Sequence, residues 1–438
     1  MQIQKLKKTK LEFPEEWIVS TINELREKQF IYEIQDGNHG ELYPRKKDFS
    51  DHGRIFLTAN SITDNGQVNV EKSLKLPEEY CKKLRIGFAK PGDILFTHNA
   101  TVGRVAILPE EFGDCVLGTS VTYYRLNTNK ISRQYFAFSL QSPFFKNQLN
   151  QIMFQTTRAQ VPITAQARLS VIIPTLREQQ KIATILSKVD VLIRKTGQII
   201  EQTERLKKGL MQRLLTKGIG HTRFKKLRFY GNFLEIPEEW KIGKLGDYAI
   251  KIGSGITPRG GSKVYQKKGI PLIRSQNVHF DGLKLDDVAY ITEEIDEEMK
   301  NSRTQIHDVL LNITGASVGR CTYVPSSIKR GNVNQHVCII RLIKDINTKY
   351  LCSYLSSNIG QSIIHRSYHG LSREGLTFSQ IRTFLILIPP LEEQNMIGSF
   401  LTTINSQSLQ KTELKLLLEK LKKGLMQQLL TGKIRVKV

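Results

Sequence analysis

Few of the reactive side chains in this 438-residue chain are spaced to work together. His365 and His369 stand four apart, the separation that puts two imidazoles on one helical face for a metal, but no acidic partner accompanies them. Gly315 to Gly319 is one residue short of a phosphate loop and runs into Val318-Gly319-Arg320 where Gly-Lys-Ser/Thr is required. Gly253-Ser254-Gly255 lacks the rest of a dinucleotide loop, and HExxH does not occur. The sole Pro-Pro pair, Pro389-Pro390, is followed by Leu391 and opens a helix, so it cannot act as the polar-Pro-Pro-aromatic signature of an amino-methyltransferase. The expectation is a chain with no catalytic residues, no metal and no cofactor of its own.

What the chain offers instead is side chains that hydrogen-bond to base edges. Under a shift of 216, Thr58, Asn60 and Ser61 stand opposite Arg274, Gln276 and Asn277, and Gly118, Thr119 and Ser120 opposite Asn334, Gln335 and His336. Asn and Gln pair with adenine and Arg with guanine, so slots that differ are candidates for reading different bases. Ordinary strand-end polarity is the competing reading. Residues 35–47, with Arg45 and Lys46, and residues 253–263, with Arg259, are basic, glycine-bearing loops at similar places, suited to a groove. A third pair of segments, 155–160 and 367–374, precedes the last strand of each half and holds the aligned Arg158 and Arg373. Gly103 and Gly319 are expected in turns with positive φ. The adjoining Arg104 and Arg320 are read either as phosphate ligands or as internal salt-bridge partners.

These slots face one another because the chain is one design used twice. Residues 206–216, LKKGLMQRLLT, return as LKKGLMQQLLT at 421–431. FPEEW, ending at Trp17, returns as IPEEW, ending at Trp240. DILFTHNATVGR at 93–104 returns as DVLLNITGASVGR at 308–320, and IPTLREQQKIATIL at 173–186 as IPPLEEQNMIGSFL at 388–401. A period this long lets each copy bury its own core. The expected domains are 1–175, a spacer helix at 176–216, a second globular domain at 217–390, and a distal helix with tail at 391–438.

Between each tryptophan and each Ile-Pro, short β-rich runs such as VTYYRL and VCIIRLI alternate with helical stretches at 133–150 and 347–366. The reading is α/β or α+β with a mixed sheet in each half. After each Ile-Pro a helix begins, with Thr175 and Glu178 at capping-box spacing and Pro390 in the first turn of the second. The apolar period is then 3.5. It places Ile182, Ile185, Val189, Leu192, Ile199, Leu206 and Leu210 on one seam and Ile397, Phe400, Ile404, Leu414, Leu418, Leu421 and Leu425 on the other. Helices of about 60 Å joined by the short connection 217–235 favour antiparallel pairing in a coiled coil.

Sixty-five Lys and Arg against 41 Asp and Glu give a net charge of +24. That excess suits a polyanion, since each neutralised phosphate releases condensed counterions. Five cysteines without CxxC spacing argue against a disulfide framework or zinc ribbon. No stretch approaches the ~18 apolar residues of a membrane span, so a cytoplasmic location is expected. A coiled-coil protein binding RNA or ribosomes through charge, and a self-contained DNA-modifying enzyme with an unrecognised site, are the alternatives to sequence-specific DNA binding.

Taken together, the IPxLxEQ and LKKGLMQxLL pairs, the two variable halves and the TVGR and SVGR turns resemble the specificity subunits of type I restriction-modification enzymes. The resemblance spans essentially the whole chain. It implies two target-recognition domains, each reading half of a bipartite double-stranded DNA sequence, held apart by an antiparallel coiled coil. It also implies two methyltransferase subunits as partners, with restriction motor-nuclease subunits added for cleavage. S-adenosylmethionine, ATP and Mg then belong to those partners.

Overall fold

The computed structural model describes residues 3–5, 12–71, 73–154, 159–368 and 375–437, so Arg158, His369 and Arg373 lie outside the described residues. The chain divides into two compact units, one of residues 1–195 with 415–438 and the other of residues 196–414.

In the first unit, VTYYRL forms the strand Val121–Leu126, whose β-branched and aromatic side chains are buried on both faces. It sits inside an antiparallel sheet in the order Ile31–Asp36, Val121–Leu126, Ile94–Thr97, Val105–Ile107. A second four-stranded sheet is mixed, with Arg54–Leu57 parallel to Cys115–Leu117. The second unit repeats this plan with Ala249–Ser254, Val337–Leu342, Val309–Asn312 and Cys321–Tyr323, and its three-stranded sheet pairs Ile270–Ile273 in parallel with Asn332–Val333. Each unit is therefore α+β with mixed sheets. The helical stretches expected as single pieces each break in two, at Ser142 and at Ser357. Pro143 has no amide hydrogen to continue the ladder, and the hydroxyls of Ser142 and Ser357 accept from the amides of Phe145 (3.1 Å) and Gly360 (3.3 Å).

The long helices run over Leu176–Lys217 and Leu391–Leu429. The expected capping box closes the first: Thr175 Oγ1 accepts from the Glu178 amide at 3.4 Å and donates to Glu178 Oε2 at 2.9 Å. In the first unit, Ile182, Ala183 and Leu186 share a core with Met426, Leu429 and Leu430, and Asp190 pairs with Lys422 at 2.6 Å. In the second, Leu215 shares a core with Ile397 and Leu401, while Glu204 accepts from Ser408 and Lys207 donates to Asn405, both at 2.6 Å. Numbers rise on one helix as they fall on the other, so the pairing is antiparallel.

The seam differs from the expected one at every second position. Ile182, Val189, Ile397 and Ile404 are buried and Leu210, Leu418 and Leu425 half-buried, but Leu192 (51% exposed), Ile199, Leu206 (57%), Phe400, Leu414 and Leu421 (50%) face outward. The inward places are one residue further on, at Leu186, Ile193, Ile200 and Lys207 and at Leu401, Ser408, Lys415 and Lys422; Ile185 lies half-buried against the core. An apolar count cannot find this register, because the helix midsections hydrogen-bond across the seam and leave their leucines outside.

The repeated letters build the joint between helix and globular domain. Trp17 Nε1 donates to Glu178 at 3.2 Å, and Trp240 Nε1 to Glu393 at 3.0 Å. Gln179 and Gln394 donate to the carbonyls of Pro174 and Pro389, both at 2.9 Å, and accept from the amides of Ser132 and Asn347, also at 2.9 Å. Arg435 closes on Glu178 (2.6 Å), and His221 and the Ile219 amide close on Glu393 (3.0 and 2.8 Å). Every carboxylate and amide of the EQ pair is thus used in holding the helix to its domain.

Candidate nucleic-acid interface

In the second unit three turns converge at the ends of the central strands. The first, Ser275–Asn277, follows Ile270–Ile273 and is held by Asn277, whose Oδ1 accepts from the Arg274 amide (3.0 Å) and whose Nδ2 donates to the Lys284 carbonyl (2.9 Å). The second, Gly315–Ser317, leads to Gly319, whose φ of 89° is one that L side chains rarely adopt. The third precedes Val337–Leu342, where Asn334 Oδ1 accepts from the His336 amide at 3.1 Å. Between them lies a cleft of about 510 Å³ lined by Ser275, Gln276, Thr314, Ser317, Arg320 and His336. His336 Nδ1 lies 2.5 Å from Thr314 Oγ1, and Gln276 donates to Asp287 at 2.6 Å. Among the described residues, Arg320 makes no side-chain hydrogen bond or ion pair, and its side chain lines the cleft.

Other expected residues of this unit are differently employed. Asn277 and Asn334 are buried and shape their own turns. Arg274 lies over the Tyr265 ring, 5.5 Å from its centroid, and donates to the Asp287 carbonyl at 2.9 Å. Gln335 is exposed and accepts from Thr257, two residues before the exposed Arg259.

In the first unit the same turns carry different side chains. Ser61 is buried and accepts from the Thr58 amide at 3.2 Å, and Ser120 Oγ accepts from the Ala59 amide at 2.9 Å. Thr58 and Asn60 line a groove of about 610 Å³ with Tyr43, Pro44, Phe49 and Asn69. Arg45 and Lys46 are exposed in the turn that follows Tyr43 and Pro44, and Thr119 is half-buried beside Ser120. Gly103 has φ 93°, as expected of its turn. Arg104 donates to Asp64 (2.6 Å) and to the Ile62 carbonyl (3.0 Å), an internal salt bridge. The other shared arginines, Arg125 and Arg341, are structural: each donates to a buried aspartate, Asp93 or Asp308, at 2.8 Å. Sequence reasoning missed Thr314, which tethers His336, and Asp287, which holds Gln276; neither has an obvious signal in the one-letter string.

Comparison with known proteins agrees with this architecture. The family model described as the type I restriction modification DNA specificity domain matches twice, over residues 14–205 and 237–420. A Methanocaldococcus jannaschii protein described as the type I restriction enzyme MjaX specificity subunit is 30% identical over 446 residues, covering 99% of this chain and 97% of that protein. The EcoBI specificity subunit of Escherichia coli is 27% identical over 239 residues, covering 51% of this chain and 49% of that one. Among solved structures, the type I restriction-modification S subunit from M. genitalium shares the fold with a TM-score of 0.62 at 15% identity, covering 94% of this chain and 96% of that one. The chain belongs to the type I restriction modification DNA specificity family.

Proposed function

We propose that this chain is the non-catalytic, DNA-recognising subunit of a type I restriction-modification complex, and that each globular unit reads one half of a bipartite double-stranded target. The observation that carries the reading is the repeat itself: paired joints built alike, and clefts at matching strand ends that present different side chains. In the second unit Gln276, Arg320 and His336 supply donors and acceptors suited to base edges and phosphate. In the first, Thr58, Asn60, Thr119, Ser120, Arg45 and Lys46 do so. Arg158 and Arg373 belong to the same proposal by their place in the repeat.

Two methyltransferase subunits are the proposed partners, with restriction subunits joining for cleavage. The outward leucines of the long helices, Leu192, Leu206 and Leu421 among them, are apolar surface suited to such docking. S-adenosylmethionine, ATP and Mg are assigned to the partners. A cytoplasmic location fits this role, and no helix among the described residues is long and apolar enough to cross a membrane.

The test is to lengthen both long helices by one heptad in the complete complex. Seven residues add ~10 Å, or about 3 bp at 3.4 Å per pair. Methylation mapping should show the same half-sites with a wider gap. Altered half-site sequences would overturn the division of labour, and methylation by the purified chain alone would overturn its non-catalytic role.

A further inference from the structure

The first unit holds a buried polar network whose places in the second are taken by Ile340, Ile381, Ile313, Cys338 and Ser254. Tyr124 Oη donates to Gln166 Oε1 at 2.5 Å. Gln166 Nε2 donates to Thr122 Oγ1 at 3.0 Å and to the Val161 carbonyl at 2.9 Å. Thr122 donates in turn to Asp36 Oδ1 at 2.5 Å. Every donor points the same way, and the chain ends on Asp36 Oδ1. Beside it stands His98, 3% exposed, with Nε2 3.6 Å from Asp36 Oδ1 and neither ring nitrogen hydrogen-bonded among the described residues.

The strand registers identify the counterparts. Thr122 pairs with Asp36 as Cys338 pairs with Ser254, and Tyr124 with Ile94 as Ile340 with Val309. The Val161 amide donates to the His98 carbonyl as that of Leu376 does to Ile313, and Leu169 to Gln166 as Phe384 to Ile381. Where the first unit has Tyr124, Gln166, Thr122, Asp36 and His98, the second has Ile340, Ile381, Cys338, Ser254 and Ile313. The fold therefore does not require the network. A buried imidazole that finds no hydrogen bond among the described residues costs stability, so a role in packing does not account for it.

Its position does. Asp36 ends the strand from which the loop bearing Arg45 and Lys46 departs; the next residue but one, Asn38, bridges to Gly118 and donates to the Leu117 carbonyl at 3.2 Å. The His98 amide donates to the Ser120 carbonyl at 3.0 Å. The pair thus sits beneath both polar segments of the first recognition surface. We propose that Asp36 and His98 are positioning residues for that surface, and that a proton taken up by His98 draws Asp36 into an ion pair and changes how the first half-site, and not the second, is read. Burial pushes the His98 imidazole below its ordinary value, opposed by Asp36, the charged group that acts on it among the described residues. Tyr124, at the far end, is kept neutral by burial. His98 therefore takes up its proton at lower pH than an exposed imidazole does.

This inference rests on the bipartite reading above, and its test carries an internal control. The complete complex would methylate genomic DNA at pH 7.5 and at pH 5.5, and mapping would give the tolerance of mismatches in each half-site. Activity losses common to the complex cancel in the ratio of the two. Wild type should change that ratio about threefold or more between the two pH values, with the change confined to the half read by the first unit. His98→Ile, which installs the second unit's residue, should leave the ratio independent of pH, and Asp36→Asn should relax the first half-site at both pH values. A melting curve for each variant separates loss of fold from loss of positioning. An unchanged ratio in wild type, or a His98→Ile chain with the wild-type pH profile, overturns the inference while leaving bipartite recognition standing. A wild-type complex with no bipartite site overturns both.

Discussion

Trp17 and Trp240 donate to Glu178 and Glu393 at nearly the same distance, whereas Arg104 and Arg320, the same letter in the same turn, do different work. One is tied to Asp64 and a carbonyl; the other lines a cleft and has no side-chain partner among the described residues. The lesson is that identity of sequence between the halves marks a shared role only where the partners repeat as well. Both tryptophans find a glutamate exactly one repeat apart, and both structural arginines find Asp93 or Asp308. Among the described residues, Asp64 has no such counterpart at the end of Arg320.

The strongest way to break the comparison is at the helix joints. Leu186→Ala and Leu401→Ala should each cost ~2–5 kcal/mol by leaving a cavity, while Leu192→Ala and Leu421→Ala should stay within about 0.5 kcal/mol. Calorimetry that found all four equal would return the seam to the positions an apolar count favours. Glu178→Ala and Glu393→Ala come next, at about 3 kcal/mol each, because each strands a buried indole donor and a second charged or backbone partner. A large loss in one unit and none in the other would show that the joints are alike only in outline.

Smaller effects separate the two proposed recognition surfaces. Arg320→Ala should weaken DNA binding by the assembled complex about tenfold and lower the salt slope by ~1, as expected of a lost phosphate contact. Arg104→Ala should weaken it less than about threefold. Equal losses, measured at one salt concentration, would mean that Asp64 releases Arg104 when DNA binds. The smallest effect is on stability in acid. The folded chain holds His98 below its ordinary value, so the unfolded chain binds the proton first, and stability falls as pH drops below about 6.5. His98→Ile should remove that slope from the first unit; melting curves at pH 7.5 and 5.5 that sloped alike in both proteins would refute it.

Much of this was legible in the letters. The duplication, the capping box at Thr175 and Glu178, the positive φ of Gly103 and Gly319, the mixed sheets and the antiparallel helices follow from spacing and residue type. The seam register did not, because Ser408, Lys207 and Lys422 bury by hydrogen bonding or ion pairing across the helices, and periodicity counts only apolar letters. Nor could the string tell Asn277 and Asn334, which brace turns, from Gln276 and His336, which line the cleft. That distinction depends on which way a side chain leaves a three-residue turn. The network ending on Asp36 joins residues 36, 98, 122, 124 and 166, which no local pattern connects.

The composition of the first unit sets an order of assembly. Its first stretch of chain ends at Lys195, within the first long helix, but the segment that completes it, with Met426, Leu429 and Arg435, begins only at Lys415, after the whole second unit has been made. At roughly 5–20 residues per second on the ribosome, the nascent first domain waits some tens of seconds for its closing helix. The second unit, contiguous in the chain, can finish first. The contacts that close the first unit are therefore the last that synthesis makes available.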